Sequence, residues 1–257
     1  MLNVDDRQES REDQAKGEPQ SLVRTRKLVT LRPDEGSNID SSVVSARFYN
    51  CFNYSLLPKA QLEMGYSIGI TSALQGEGKT LVAANMALSL AAMHERKIVL
   101  VDLNLYRPRL HSVFGIPSSP GVVEAMIEPE VQVAPTIVKY LHLLTAGNPG
   151  RMGIGRDRKK GDGDYSSKLS SVAKLASLSI LMNFRDVLYS LQQEFDIIVV
   201  DLPPVLNSGL PPSLAQQLSG LLLVLDATMT RREDLTKVLQ RVGAGRILGL
   251  VLNRVRE

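Results

Sequence analysis

The chain has 257 residues, of which 44% are hydrophobic, and a net charge of +3 at pH 7. This length suits one sizeable domain or at most two small ones, and so mild a charge gives no reason to expect a nucleic-acid partner. The single cysteine, Cys51, excludes an internal disulfide bond and is typical of a reducing compartment. The N-terminus lacks the apolar core of a signal peptide, and no run approaches the roughly 20 apolar residues of a membrane span. We expect a soluble, cytoplasmic protein that reaches a membrane only through a partner.

The first 42 residues differ in composition from the rest of the chain. Residues 1–42 are rich in charged and polar side chains and show no hydrophobic period, which predicts a disordered tail with at most a short strand near 28–31. Apolar side chains then recur at every fourth residue between 43 and 57, a spacing that indicates a helix leading into the folded part. These side chains are Val44, Phe48, Phe52 and Leu56. We therefore divide the chain into a tail, 1–42, and one domain, 43–257.

Strand-like and helix-like segments alternate through this domain. Short apolar runs predict strands at 66–71, 97–102, 141–145, 195–201, 220–225 and 247–252. Amphipathic stretches predict helices at 79–95, 180–194 and 230–242. Thr230 and Glu233 have the spacing of a capping box at the start of the last helix. The alternation predicts an α/β fold, with a mostly parallel sheet and helices on both faces.

One stretch interrupts this alternation. Residues 147–175 are rich in glycine, serine and basic side chains, with a basic cluster at 156–160. The composition predicts a long, mobile insertion near the carboxyl end of a strand. A solvated loop is the more common role of such a charge run, and a surface for an anionic partner is the alternative.

One loop has the residues needed to hold phosphate groups. Residues 73–80 read ALQGEGKT and lie between a predicted strand and a predicted helix. Gly76 and Gly78 let the backbone curl so that successive N–H groups point at one anion, and the helix that follows adds the positive end of its dipole. Lys79 is placed to reach the β- and γ-phosphates, and the Thr80 hydroxyl to bind Mg²⁺. We expect a P-loop NTPase fold that binds ATP with Mg²⁺.

The candidate nucleotide-binding residues in and beside this loop form one continuous stretch. They are Gln75, Gly76, Glu77, Gly78, Lys79, Thr80 and Leu81.

Two aspartates end buried apolar strands. Asp102 follows the run at 97–101, and Asp201 follows the run at 195–200. In an open α/β sheet the carboxyl ends of the strands form the ligand-binding edge. One aspartate is therefore a candidate to hold the metal ion, directly or through water, and the other to orient or deprotonate a nucleophile. Aspartate at a strand end is also common as a turn residue, so the argument depends on the two aspartates and the P-loop together.

Three motifs together resemble the bacterial tyrosine kinases of capsule and exopolysaccharide synthesis. These are the segment 71–80, the segment 102–108, which is followed in the sequence by His111, and the segment 195–205. The resemblance covers the chain from about residue 65 onward. The related partition and septum-positioning ATPases carry an additional lysine inside the loop, where this chain has Leu74, and this difference favours the kinase branch.

The resemblance implies a role for each matching residue. Lys79 and Thr80 would bind the phosphates and Mg²⁺, and Asp102 would be the catalytic base toward a tyrosine hydroxyl and lie near the metal ion. Asp201 would bind the metal ion in its outer shell. Arg107 would contact phosphate or a neighbouring subunit, and Asn253 would contact the adenine.

The family also implies partners. Its kinases work beside a transmembrane polysaccharide chain-length protein, a co-polymerase, whose cytoplasmic end activates them, and they assemble into rings. By this resemblance we expect recruitment to the inner face of the membrane and a homo-oligomer.

This chain departs from the family pattern at three places. Asn104 stands where the family has a second aspartate, which removes a charge and is expected to weaken Mg²⁺ binding and transfer. The last tyrosine is Tyr189, so we expect no tail of phosphorylated tyrosines, and residues 45–50 replace an arginine-rich self-association segment.

These departures leave two rival functions open. The first is an ATP-binding regulator that has lost transfer, and the second is a partition-type ATPase. If Asn104 is only a lost carboxylate, the substitution Asn104→Asp raises transfer.

Overall fold

The computed structural model describes residues 27–30, 65–94, 96–152, 178–207 and 211–255. Most of the predicted tail, the predicted helix at 43–57 and the predicted insertion from residue 153 onward lie outside these ranges. No helix within them is both long and apolar enough to cross a membrane.

The described strands form an eight-stranded sheet in the order β1-β4-β5-β3-β6-β2-β7-β8. They are β1 Lys27–Thr30, β2 Tyr66–Ser72, β3 Ile98–Asp102, β4 Glu130–Pro135, β5 Leu141–Leu144, β6 Ile197–Asp201, β7 Gly220–Asp226 and β8 Ile247–Asn253. Neighbouring strands pair in parallel except β4 and β5, which are antiparallel. The predicted α/β class and mostly parallel sheet are confirmed.

The helices follow the strands in the alternation that the sequence predicts. The α-helices of the described ranges are α1 Lys79–His94, α2 Leu110–Phe114, α3 Val122–Ile127, α4 Leu178–Gln192, α5 Pro212–Ala215 and α6 Arg232–Val242. Short 3₁₀ turns occupy Pro149–Met152 and Ala244–Arg246.

The sheet separates two hydrophobic clusters. On one face, α1 packs its apolar side chains, among them Met86 and Leu90, against inward residues of the central strands. On the other face, α3, α4 and α6 cover the alternate residues of the same strands, with Phe184 and Val238 fully buried. Strands covered on both faces are apolar at every position, which is why β3, β6 and β7 appear in the sequence as continuous apolar runs.

Two features differ from the sequence-based predictions. The segment 110–135 contains α2, α3 and β4, none of which the apolar periodicity predicted. The predicted capping box at Thr230 is wrong. The N-cap of α6 is one residue later, at Arg231, and the reciprocal residue of the capping box is Asp234. The Thr230 side chain is instead turned toward the P-loop, where it contacts Glu77.

Candidate functional site

The candidate site lies at the carboxyl ends of adjacent strands. β6 lies between β3 and β2, so Asp102 at the end of β3 and Asp201 at the end of β6 are paired in register. The P-loop leaves the end of β2, which is the other neighbour of β6. The sheet topology therefore brings together the three motifs that the sequence separates.

The P-loop has the curled backbone that its glycines allow. Gly76 and Gly78 have positive φ angles of 91° and 94°, in the left-handed region that favours glycine. The loop leads directly into α1, which begins at Lys79. Because the first N–H groups of a helix have no intrahelical acceptor, this end of α1 presents donors and a partial positive charge to an anion.

Lys79 and Thr80 both turn toward Asp201. The Thr80 hydroxyl donates to Asp201 Oδ2 at 2.6 Å, and Lys79 Nζ lies 3.8 Å from Asp201 Oδ1. Asp201 is fully buried, and its Oδ1 atom has no hydrogen-bond partner in the described residues. Burial raises the pKa of Asp201, while the Lys79 charge and the Thr80 hydrogen bond act in the opposite direction. A buried oxygen without a donor is available to a bound ion or a water molecule.

Asp102 is held firmly by the backbone around it. Its Oδ1 accepts from Asn104 N at 3.2 Å, and its Oδ2 accepts from Arg109 N and Leu110 N at 3.0 Å each. Burial, and then the nearby charge of Asp201, raise the pKa of Asp102 to about 7, against the lowering effect of these backbone donors. A carboxylate with a pKa near neutrality is suited to accept a proton from a reacting hydroxyl.

Arg107 lies against the P-loop. In the amide orientation that satisfies its neighbours, Gln75 Oε1 accepts from Arg107 Nη1 at 2.7 Å and from Arg107 Nε at 2.9 Å. The turn that carries Arg107 is closed by Asn104, whose Nδ2 donates to Arg107 O at 3.1 Å. The second acidic motif and the P-loop are therefore joined through side chains as well as through the sheet.

Glu77 links the P-loop to the last two strands. Its carboxylate is fully buried, accepts from Leu74 N at 2.6 Å and accepts a short hydrogen bond from the Thr230 hydroxyl. Asn253 Nδ2 donates to Glu77 O at 2.9 Å. A Cβ atom added at Gly78 would overlap the Asn253 amide, so a larger residue there would displace that amide.

A second buried carboxylate completes this link. Asp226 accepts from Thr228 N at 2.8 Å and from Thr228 Oγ1 at 2.7 Å, and Arg254 Nη1 donates to its Oδ2 at 2.6 Å. Asp226 N in turn donates to Thr230 Oγ1 at 2.8 Å. We call the set Glu77, Thr230, Asp226, Arg254 and Asn253 the P-loop anchor.

The oxygen donors at the site suit a phosphate-bound Mg²⁺ rather than a metal ion held by protein alone. Within the described ranges, no group of three His, Cys, Asp or Glu side chains could hold a metal ion. The Thr80 hydroxyl and the free Oδ1 of Asp201 are hard oxygen ligands, and Mg²⁺ commonly takes few protein ligands and completes its shell with water and phosphate. The residues present fit such an ion.

Comparisons with known proteins find similar sequences and a similar fold, although no family model matches the chain. The tyrosine-protein kinase YwqD of Bacillus subtilis (strain 168) is 26% identical over 243 residues, which cover 88% of this chain and 91% of YwqD. The succinoglycan biosynthesis transport protein ExoP of Rhizobium meliloti (strain 1021) is 28% identical over 192 residues, which cover 73% of this chain and 22% of ExoP. The crystal structure of the VpsO kinase domain matches with a TM-score of 0.62 and 28% identity, over 84% of this chain and 94% of that domain.

The chain is a relative of the bacterial tyrosine kinases.

The structure of this chain brings together most of the site residues that the sequence predicts. Lys79, Thr80 and Asp201 are in contact, and Asp102 lies on the adjacent strand end. Arg107 reaches the P-loop through Gln75, and Leu81 is 42% exposed at the start of α1. Asn253 lies against the P-loop backbone, and its contact with an adenine stays a prediction.

The sequence does not predict the contacts of the P-loop anchor. The spacing of Thr230 and Glu233 predicts a helix cap, and no local motif contains Asp226 or Arg254. One signal is present in the sequence: β7 ends in Asp226, as β3 and β6 end in aspartate. A third aspartate at the same edge of the sheet is a candidate site residue for the same reason as the other two.

Proposed function

We propose that the chain is an ATP-dependent protein-tyrosine kinase that transfers the γ-phosphoryl group to tyrosine and regulates exopolysaccharide or capsule synthesis and export. The observation that carries the proposal is the contact of Lys79 and Thr80 with Asp201, with Asp102 in register beside it, in a relative of tyrosine kinases.

The proposed mechanism is mainly positioning and neutralisation of charge. The N–H groups of the P-loop and of the first turn of α1 bind the phosphates, and Lys79 places its charge on the transferred group. Thr80 would hold Mg²⁺ directly, Asp201 through water, and Asp102 would lie near it. The ion, when bound, neutralises charge on the phosphate oxygens.

Asp102 is the proposed base. Its carboxylate takes the proton of the attacking tyrosine hydroxyl, and its three backbone donors keep it in one orientation while it does so. Arg107 is proposed to contact the phosphates from its position on Gln75. Gly76, Glu77, Gly78, Leu81 and Asn253 complete the proposed ATP site.

The proposal includes a membrane partner. ExoP is a succinoglycan biosynthesis transport protein, and the match with this chain covers 22% of its length. We infer that this chain acts with a transmembrane polysaccharide co-polymerase, which recruits it from the cytoplasm to the inner face of the membrane. Self-association of the chain is part of the same proposal.

Incubation of the purified chain with γ-labelled ATP and Mg²⁺, alone and with the cytoplasmic segment of the co-polymerase, tests the activity. We expect labelled phosphotyrosine that Lys79→Met abolishes, because the lysine charge acts on the transferred phosphoryl group. The matched control is Lys97→Met. Lys97 is exposed and lies immediately before β3, at the end of the strand away from Asp102 and the candidate site.

Each other outcome identifies a different function. ATP binding without labelled protein in either condition would contradict the kinase and favour an ATP-sensing regulator. Release of phosphate with ATP-dependent dimerisation and no labelled protein would favour a partition-type ATPase.

A further inference from the structure

We propose that Asn104 is a positioning residue that holds Arg107 over the P-loop. Replacing its amide by a carboxylate is then expected to weaken the binding of ATP. The inference rests on the proposed function of the same site. It reverses the expectation, drawn from sequence alone, that Asn104→Asp restores a missing metal-binding charge.

The Asn104 side chain is used as a hydrogen-bond donor. Asn104 is 6% exposed, and its Nδ2 donates to Arg107 O at 3.1 Å. Arg107 N donates back to Asn104 O at 3.0 Å. The turn between these two residues is therefore closed by a backbone bond and by a side-chain bond.

This turn decides where the Arg107 guanidinium lies. From the closed turn, Arg107 reaches Gln75 in the P-loop with two donors, Nη1 and Nε. The same turn begins at Asp102, because Asn104 N donates to Asp102 Oδ1 at 3.2 Å. Asn104 is thus the residue through which the proposed base and the proposed phosphate-contacting arginine are set relative to each other.

An aspartate at position 104 lacks the donor that this arrangement needs. An ionised carboxylate only accepts hydrogen bonds, so one of its oxygens would face the carbonyl oxygen of Arg107. A buried carbonyl that loses its donor, with a negative charge placed beside it, is a costly combination. The turn would open, and Arg107 would lose its fixed approach to Gln75.

The test compares Asn104→Asp and Asn104→Ala with the unmodified chain. Dissociation constants for ATP are measured by calorimetry with Mg²⁺ and with EDTA, and transfer is measured with γ-labelled ATP. We expect both variants to bind ATP about three- to tenfold more weakly, as for the loss of one hydrogen bond. Asn104→Asp is expected to be the weaker of the two, and the ratio of affinities with and without Mg²⁺ is expected to stay the same.

Coupling to Arg107 separates positioning from a general loss of structure. In an Arg107→Ala background, where the guanidinium is already gone, Asn104→Asp is expected to have little further effect on affinity. The control is Asn148→Asp, the same chemical change at an exposed residue whose Oδ1 accepts from Gly150 N, a bond that a carboxylate also makes.

Three results would overturn the inference. They are a gain in Mg²⁺-dependent affinity or in transfer for Asn104→Asp, unchanged affinity in both variants, and an undiminished effect in the Arg107→Ala background. A chain that binds ATP without transferring phosphate would refute the proposed kinase, and the affinities would still decide the role of Asn104.

Discussion

At the scale of single residues, Gly76 and Gly78 have similar φ angles, 91° and 94°, but different surroundings. A Cβ atom at Gly76 would have open space around it, whereas a Cβ atom at Gly78 would overlap the Asn253 amide. That amide is engaged at both ends, because Nδ2 donates to Glu77 O and Oδ1 accepts from Arg254 N. Only the Gly78 substitution therefore breaks a tertiary hydrogen bond.

We predict that Gly78→Ala lowers the free energy of unfolding by about 1 kcal/mol more than Gly76→Ala. Both changes carry a cost of about 1–2 kcal/mol for the left-handed backbone, and Gly78→Ala adds the loss of the Asn253 bond, about 0.5–1.5 kcal/mol. Urea unfolding without nucleotide measures the difference. Equal losses in the two variants would show that Asn253 moves aside freely.

The sequence contains enough to identify Lys79, Thr80, Asp102 and Asp201, because each lies in a local motif whose chemistry is known. It does not contain the contact between Glu77 and Thr230, which are 153 residues apart. Thr230 also fits a local role as a helix cap, and only the fold shows that its hydroxyl is used by the P-loop. The donor role of Asn104 is hidden for a similar reason, since its acceptor, the carbonyl oxygen of Arg107, is brought to it only by the folded turn.

At the scale of elements, the sequence pattern predicts the long helices and the buried strands but not the short helices. β3, β6 and β7 are buried throughout and apolar up to the aspartate that ends each, and α1 and α4 are 16 and 15 residues long. α2 and α3 have 5 and 6 residues, which is too few to establish a helical period. Their ends are fixed by contacts, such as Gly121 N donating to Glu124 Oε2 at 2.8 Å, and not by composition.

β5 carries a histidine that makes this strand sensitive to acid. His142 packs its ring edge against Phe195 at a centroid distance of 5.2 Å, and its Nδ1 has no partner in the described residues. Burial and then the Lys97 charge lower the pKa of His142 from 6.5. The unfolded chain therefore takes up a proton near pH 6.5 while the folded chain does not, so stability is lost as the pH falls below 6.5.

We predict that His142→Leu makes the melting temperature less dependent on pH between 7.5 and about 5. The unmodified chain is expected to lose melting temperature relative to the variant as the solution is acidified, since only the unmodified chain has this proton to take up on unfolding. Thermal scans at several pH values measure it. Parallel curves for the two proteins would mean that His142 has the same pKa in the folded and the unfolded chain.

At the scale of the whole molecule, side chains are fully buried in the centre of the sheet and become exposed at the β8 edge. Leu223 in β7 is fully buried, while its register partner Leu250 in β8 is 53% exposed. Leu252, two residues further along the same face of β8, is 58% exposed. The same side-chain type thus occupies opposite environments on neighbouring strands.

We predict that Leu223→Ala lowers the free energy of unfolding by about 2–5 kcal/mol, because it leaves a cavity in the core. Leu250→Ala is expected to change it by less than about 1 kcal/mol, since half of that side chain already contacts solvent. Chemical denaturation of both variants provides the comparison. A large loss from Leu250→Ala would indicate that another surface covers this strand in solution.

The P-loop anchor has a consequence for the order in which the molecule matures during synthesis. The phosphate-binding loop is made early, at residues 73–80, but Asn253 and Arg254, which fix its far side, are made some 180 residues later. A domain generally folds as one unit, so the loop takes this held shape only after the strand that carries Asn253 has been made. A chain that stops before residue 253 is therefore expected to lack the contacts that hold the far side of this loop.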